Sequence, residues 1–389
     1  MTGWRVPGRI EVLGKHTDYA GGRVLVAAVD RGVTVRATAG ADGIVARSAA
    51  FPDDVVTLRA GVDSGLPAGH WGRYLQTVVD RLALNFGEIT PCELEITHDL
   101  PPASGMSSSS ALLCAVALTL ADLSGFTETE TWRRHCPDRL ALAGYLAAVE
   151  NGGRYGDLEG NAGVGTSGGS LDHTGMLATT AGEVAYARFD PMELLGSARF
   201  PADWRLVVGV SGVLAEKTGA ARELYNRGPQ TLRRILARWN ERSGRADTSI
   251  RSALDAGAEF RTEPGYETAR LAQFVEESER LVPAGYEALR SGDMAAFADV
   301  VNRSHAEAVE GLGNNVPETD ALVALARELG APAATQFGAG FGGSAYALVR
   351  ASDADAFASE WLTRYQQGRD LPLATTLVTQ PSAPAERLD

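Results

Sequence analysis

At 389 residues, with 44% apolar and 22% charged side chains, the chain exceeds the size at which one core stops growing and has the make-up of a soluble globular protein of two domains. Its net charge of -13 argues against nucleic acid or an anionic membrane surface as a partner, and no run reaches the ~18 apolar residues of a membrane helix. Cys92, Cys114 and Cys136 are spread out and odd in number, so neither a disulfide framework nor a Cys-x-x-Cys metal site is indicated, and the N-terminal MTGWRVPGRIEVLG has no signal-peptide pattern, so the expected location is cytoplasmic.

The first informative stretch is residues 7–19, PGRIEVLGKHTDY, which packs Arg9, Glu11, Lys15, His16 and Asp18 between glycines and an aromatic. So many charges need partners, and either an exposed loop or convergence on a small ligand would supply them. It is not a P-loop: Gly8 and Gly14 are one residue too far apart, and His16 instead of Ser or Thr follows Lys15. Lys15 and Lys217 are the sole lysines among 36 basic residues. Residues 23–50 read as strands with a turn at 39–43, 54–60 as another strand, and 70–84 as a helix by the spacing of Trp71, Leu75, Val78, Val79 and Leu82.

Residues 92–100 alternate as a strand and run into LPPASGMSSSSALL at 100–113, then into a helix through Leu123. One serine suffices to cap a core helix. Four serines and a glycine at a helix start offer hydroxyls, first-turn amides and close approach, which is what a phosphate cradle requires. A second helix over 138–150 stops at glycines, so Glu150 projects into a loop. The glycine-dense 160–177 places Asp172 beside His173; as a bare pattern it could also be an Asp turn. Residues 183–200 read as a strand with a short connection, 204–212 as the opening of a second half, and 231–259 and 268–310 as mostly helical. GAGFGG at 338–343 satisfies a dinucleotide fingerprint, but 344–349 alternates as a strand where that fingerprint demands a helix. A helix over 353–365 and a strand over 373–378 follow, and the tail, 381–389, is expected to be disordered.

Three of these stretches resemble, in order, the motifs of the galactokinase, homoserine, mevalonate and phosphomevalonate (GHMP) kinase superfamily, and residues 8–19 resemble its galactokinase signature. The resemblance implies an α+β fold of two domains with the active site in the cleft between them. The N-terminal domain (1–195) would be ribosomal-protein-S5-like and the C-terminal one (196–380) ferredoxin-like, with 381–389 as a tail. It assigns the ATP loop to Pro102, Ser104, Gly105, Met106, Ser107, Ser108, Ser109 and Ser110, and the third motif to Gly338, Gly340, Gly342 and Gly343. Asp172 would be the catalytic base and Arg9 the phosphate-side cation. Lys15, His16, Asp18, Gly169 and Tyr225 would hold the sugar, and Ser109 with Glu150 would hold Mg2+, with Glu159 as the runner-up ligand.

Two positions depart from the signature: Glu11 stands for its Asn and Lys15 for its acidic residue, and His173 takes the place of a Gln. Either Glu11 and Lys15 pair with each other, or the reversed polarity changes the sugar. The expected function is an MgATP-dependent sugar 1-kinase acting on the anomeric hydroxyl of a galactose-like aldose, in a monomer or homodimer. A heptose, octose or uronate kinase is the alternative that Lys15 raises, and a non-catalytic sugar sensor is the alternative of another class.

Overall fold

The computed structural model describes residues 2–389 apart from 41, 68, 103, 166–167 and 214–219, with 220–225 described through the backbone alone. Strands β1 (Thr2–Leu13), β2 (Arg23–Ala39), β3 (Ile44–Ser48), β4 (Phe51–Leu58), β5 (Cys92–His98), β6 (Glu183–Arg188) and β7 (Glu193–Arg199) build the first sheet. β2 is long enough for two neighbours on one side: residues from Arg23 to Val26 pair with β6, and those from Val33 to Ala39 with β5. β5 shows the expected alternation, with Cys92, Leu94 and Ile96 inward and Glu93 and Glu95 outward. The helix Ser108–Leu123 packs on β1 and β2 and is buried on nearly every face, which explains why its sequence carries almost no polarity after the serines.

β8 (Trp204–Val210), β9 (Ala333–Phe337), β10 (Ser344–Arg350) and β11 (Thr375–Thr379) form a second, antiparallel sheet in the order β11-β8-β10-β9. β10 is buried from Ser344 to Val349 because sheet and helices cover both its faces. Between β8 and β9 lies a helical stretch that includes Tyr266–Glu276, Val282–Ser291 and Met294–Gly311, with a single π turn at Glu277–Leu281.

Two expectations need correction. Residues 183–200 are a hairpin of two strands, because Asp190 takes a left-handed backbone (φ 68°) and turns the chain. The tail is ordered: β12 (Glu386–Leu388) pairs antiparallel with β1, and Ser382 N and Ala385 N donate to Ala28 O (2.9 Å) and Met176 O (2.8 Å). Its Pro- and charge-rich composition hid this, since what orders it is the open edge of β1 and not its own propensity.

Candidate active site between the two sheets

A cleft of about 230 Å³ is lined by all three motif loops, with the first contributing from β1 and its following turn, the second from the serine loop and the third from the turn between β9 and β10. β1 places Arg9 and Glu11 on its cleft face and Ile10 and Val12 in the core. Arg9 is buried; its Nε donates to Asp172 Oδ1 (2.7 Å), its Nη2 lies 2.7 Å from the same oxygen, and its Nη1 donates to Gly105 O (2.7 Å). Burial opposes the guanidinium charge, but Asp172, Glu11 and Asp18 outweigh it and hold the group above its ordinary range.

Asp172 sits in the first turn of the short helix Leu171–Leu177 and also accepts a hydrogen bond from Ser107 Oγ. Ser107 caps the serine-loop helix in a left-handed backbone (φ 56°), and Ser108, Ser109 and Ser110 follow as its first turn, all on the cleft wall. That start leaves the first amides of a buried helix without intrahelical partners, beside an arginine and three hydroxyls. Glu150, at the end of Arg139–Asn151, lines the cleft with this turn: its Oε2 is 3.1 Å from His173 Nε2, and burial, then the Glu150 charge, raise the pKa of the Tyr74 hydroxyl.

At the other end, Asp18 accepts from Leu171 N (3.2 Å) and Tyr19 N (2.9 Å), which ties the first motif to the helix carrying Asp172. Burial, and then Asp172, raise its carboxyl to about 6. Gly169 must be glycine, since a Cβ there would lie 2.1 Å from Asp18 Oδ2. His16 Nε2 pairs with Ala339 O (3.0 Å) in the third motif; burial, then Arg270, lower its pKa to about 4, so the ring is neutral and donates from Nε2. Gly340 gives Asn314 its space, because a Cβ would come within 2.4 Å of Asn314 Nδ2.

The cleft thus brings together Arg9, His16, Asp18, Ser104, Gly105, the four serines 107–110, Glu150, Gly169, Asp172 and the glycines Gly338, Gly340, Gly342 and Gly343. It does not bring in Pro102, which is exposed, Met106, which is fully buried in the core, or Glu159, which is exposed. The side chain of Tyr225, and Lys217, lie outside the described residues. Lys15 stands behind the wall: it is 1% exposed and its Nζ donates to Ser304 Oγ (2.8 Å), which in turn donates to Glu277 Oε1 (2.9 Å). It reaches neither the cleft nor an ion pair with Glu11. Sequence reasoning missed Arg270, which donates to His16 O and Tyr19 Oη, Asn314, whose Nδ2 lies 3.3 Å from His16 Nε2, and Ser344, whose Oγ clamps Ser104 O at 2.7 Å. Arg270 comes from a helix and Asn314 from the loop between two helices, while Ser344 opens the strand after the third motif, and no local pattern marks their partners.

Among the described residues no group of three or more His, Cys, Asp or Glu could cage a metal. One buried carboxylate, Glu150, facing hydroxyl oxygens does fit a hard divalent cation that arrives on a polyphosphate and needs few protein ligands. No helix among the described residues is long and apolar enough to cross a membrane.

Fold and cleft together define a GHMP kinase. Family profiles described as the GHMP kinases N terminal domain and GHMP kinases C terminal match residues 73–153 and 286–367, and the galactokinase galactose-binding signature matches residues 2–39. A galactokinase of Chloroflexus aggregans is 30% identical, with 96% of this chain and 90% of that protein aligned, and one of Roseiflexus sp. is 29% identical over 93% and 86%. The crystal structure of Lactococcus lactis galactokinase complexed with galactose superposes with a TM-score of 0.82 at 24% identity, covering 100% of this chain and 95% of that one. The chain belongs to the galactokinase family. It is an ATP-dependent sugar kinase.

Proposed function

We propose that the protein is an MgATP-dependent sugar 1-kinase that transfers the γ-phosphoryl group of ATP to the anomeric hydroxyl of a galactose-like aldose. The observation that carries this reading is the Arg9–Asp172 contact at the centre of the cleft, between a serine-lined helix start on one side and His16, Asp18 and Gly169 on the other. A carboxylate held by an arginine stays ionised and oriented, so Asp172 accepts the proton of the attacking hydroxyl. Arg9, with one nitrogen on Gly105 of the phosphate loop, neutralises charge on the moving phosphoryl group. Ser107 through Ser110 and the helix start hold the triphosphate, while the glycines of the third motif let that turn close over it. Asp18 and His16 hold sugar hydroxyls, and Gly169 keeps the wall open beside Asp18.

Ser109 and Glu150 would hold Mg2+, which when bound supplies charge neutralisation on the phosphates. The protein's own share is positioning and electrostatics, as expected where little covalent chemistry is asked of it. Residues 1–195 and 196–380 are the proposed domain limits. The sensor alternative finds no support in a cleft that keeps an arginine-held carboxylate beside the phosphate loop.

The test is ADP release with MgATP against free aldoses, with 31P NMR of the product and Asp172→Asn as control. An anomeric phosphate formed by the wild type and lost in the variant is expected. Sugar binding without phosphoryl transfer by the wild type would overturn the reading.

A further inference from the structure

Glu11 has a place on the cleft wall that the chemistry above leaves unused. There is no bulge between Arg9 and Glu11, whose partners on β2 are Ala28 and Val26, so the carboxylate lies ~7 Å along the strand from Arg9, on the same face. The strand leads from Gly105 of the phosphate loop, held by Arg9, towards the turn that carries His16 and Asp18. Glu11 therefore lines the acceptor end of the cleft. It is 5% exposed, and its Oε1 is buried without a hydrogen-bond partner among the described residues.

The nearby cations do not complete it. Arg9 is committed to Asp172 and Gly105, and the Lys15 ammonium turns away to Ser304. A buried acceptor left without a donor is costly, and the cleft that Glu11 lines is the side from which a ligand donor can reach the carboxylate once the side chain turns to it. Carboxylates of Glu11, Asp18, Glu150 and Asp172 line that cleft, against the single guanidinium of Arg9 among the described residues. An anionic sugar meets repulsion there.

Resting on the sugar-kinase reading of the cleft, we propose that Glu11 is its specificity-determining residue: the carboxylate accepts a hydrogen bond from an alcohol or amine of the sugar, and its charge excludes uronates. Burial, working against Lys15 and Arg9, already raises the carboxyl to about 7, as expected of an acceptor waiting for its donor. The departure at Lys15 then has an indirect sense: the lysine sits behind the wall, while the residue two positions beyond Arg9 selects.

The experiment is calorimetric titration at pH 8, where the Glu11 carboxyl is ionised, of galactose, galacturonate and 6-amino-6-deoxygalactose into wild type, Glu11→Gln and Glu11→Leu. Glu11→Gln keeps shape and an acceptor but removes charge, and Glu11→Leu removes both. The wild type is expected to bind galacturonate at least tenfold more weakly than galactose and the amine at least as well. Glu11→Gln should narrow the galacturonate penalty several-fold, whereas Glu11→Leu should also weaken galactose at least tenfold, as sites built to bond a hydroxyl do when the bond is lost. Dissociation constants and a uronate penalty unchanged within twofold in both variants, with wild-type melting, would overturn the assignment, as would a wild type that binds none of the three sugars. Because binding is read without turnover, galactose binding that follows Glu11 while no anomeric phosphate forms would instead overturn the 1-kinase reading and leave Glu11 assigned.

Discussion

Replacing Lys15 with glutamate, the acidic type that the galactokinase signature carries there, separates a sugar contact from a buried tie. The ammonium is 1% exposed and holds Ser304, which holds the fully buried Glu277, whose Oε1 also accepts from Gly14 N (2.7 Å) and Lys15 N (3.2 Å). Glu277 lies in the π turn Glu277–Leu281, so this cluster joins the loop carrying His16 and Asp18 to the C-terminal helices. A third carboxylate beside Glu11 and Glu277 removes the cation that most strongly favours Glu11 ionisation and adds a buried charge without a partner. Breaking a buried charge arrangement costs about 3–5 kcal/mol. At ~1 °C per kcal/mol for a chain of 389 residues, Lys15→Glu should lower Tm by roughly 5 °C, and Lys15→Met by less. Differential scanning calorimetry reads this, with kcat/KM on galactose measured at a temperature where each variant is folded. A Tm within about 2 °C of wild type together with a switched sugar preference would refute the reasoning, because it would put the lysine on the sugar.

Asp172→Asn should lower kcat by about 10²–10⁴ with KM for sugar within a few-fold, read by steady-state kinetics, and Arg9→Lys should lose much of the same, since a compact ammonium cannot span the guanidinium's contacts to Asp172 and Gly105. Ser109→Ala and Glu150→Gln should each raise the Mg2+ needed for half-maximal rate by ~10–100-fold while ATP-independent sugar binding, read by calorimetry, stays put. Glu11 faces Lys15, Arg9, Glu277 and Asp18, and its carboxyl rises from 4.5 to about 7 on folding, so the folded state binds the extra proton and the stability this group contributes falls as pH rises between those values. Glu11→Gln should therefore match wild type near pH 4 and gain up to about 3 kcal/mol above pH 7, seen in urea midpoints at both pH values. Removing residues 381–389 strips β12 and the bonds of Ser382 and Ala385 from the sheet, and should cost roughly 2–4 kcal/mol by the same measurement.

What was legible in the sequence is what chemistry forces to be local. A helix start lining a cleft with hydroxyls needs small residues and serines side by side, and the sequence carries them at 107–110; a turn packed against another loop needs glycines, and Gly169 and Gly340 are where a Cβ would collide. Side-chain direction is not local. Lys15 reads as a substrate contact because it takes the signature's acidic position, yet its partners lie 262 and 289 residues away, on helices whose own patterns are plainly amphipathic. Ser107 was legible as part of the loop but not as a donor to Asp172, since that bond exists only once the helix Leu171–Leu177 is folded against the serine loop. The ordered tail failed for the same reason, its partner being the edge of a strand at the opposite end of the chain.

The cleft is held in a shape its loops would not adopt alone. Four non-glycine residues among those described have left-handed backbones, and three of them, His16, Ser107 and Phe341, fall one in each of the three motif loops. Each costs about 1–2 kcal/mol for a residue with a Cβ. Each is over-determined by a tie to another segment of the chain: Arg270 on His16 O, Asp172 on Ser107 Oγ, and the Asn314 carbonyl accepting from Phe341 N at 2.7 Å. Two of those ties come from the C-terminal half and one from the proposed base itself, so no loop can relax without disturbing another. In the proposed transfer, which needs the attacking hydroxyl in line with the leaving oxygen of the phosphoryl donor and the carboxylate beside that hydroxyl, mutual locking of the loops would keep the reacting groups placed, and the strain is stored where relaxing it would misplace them.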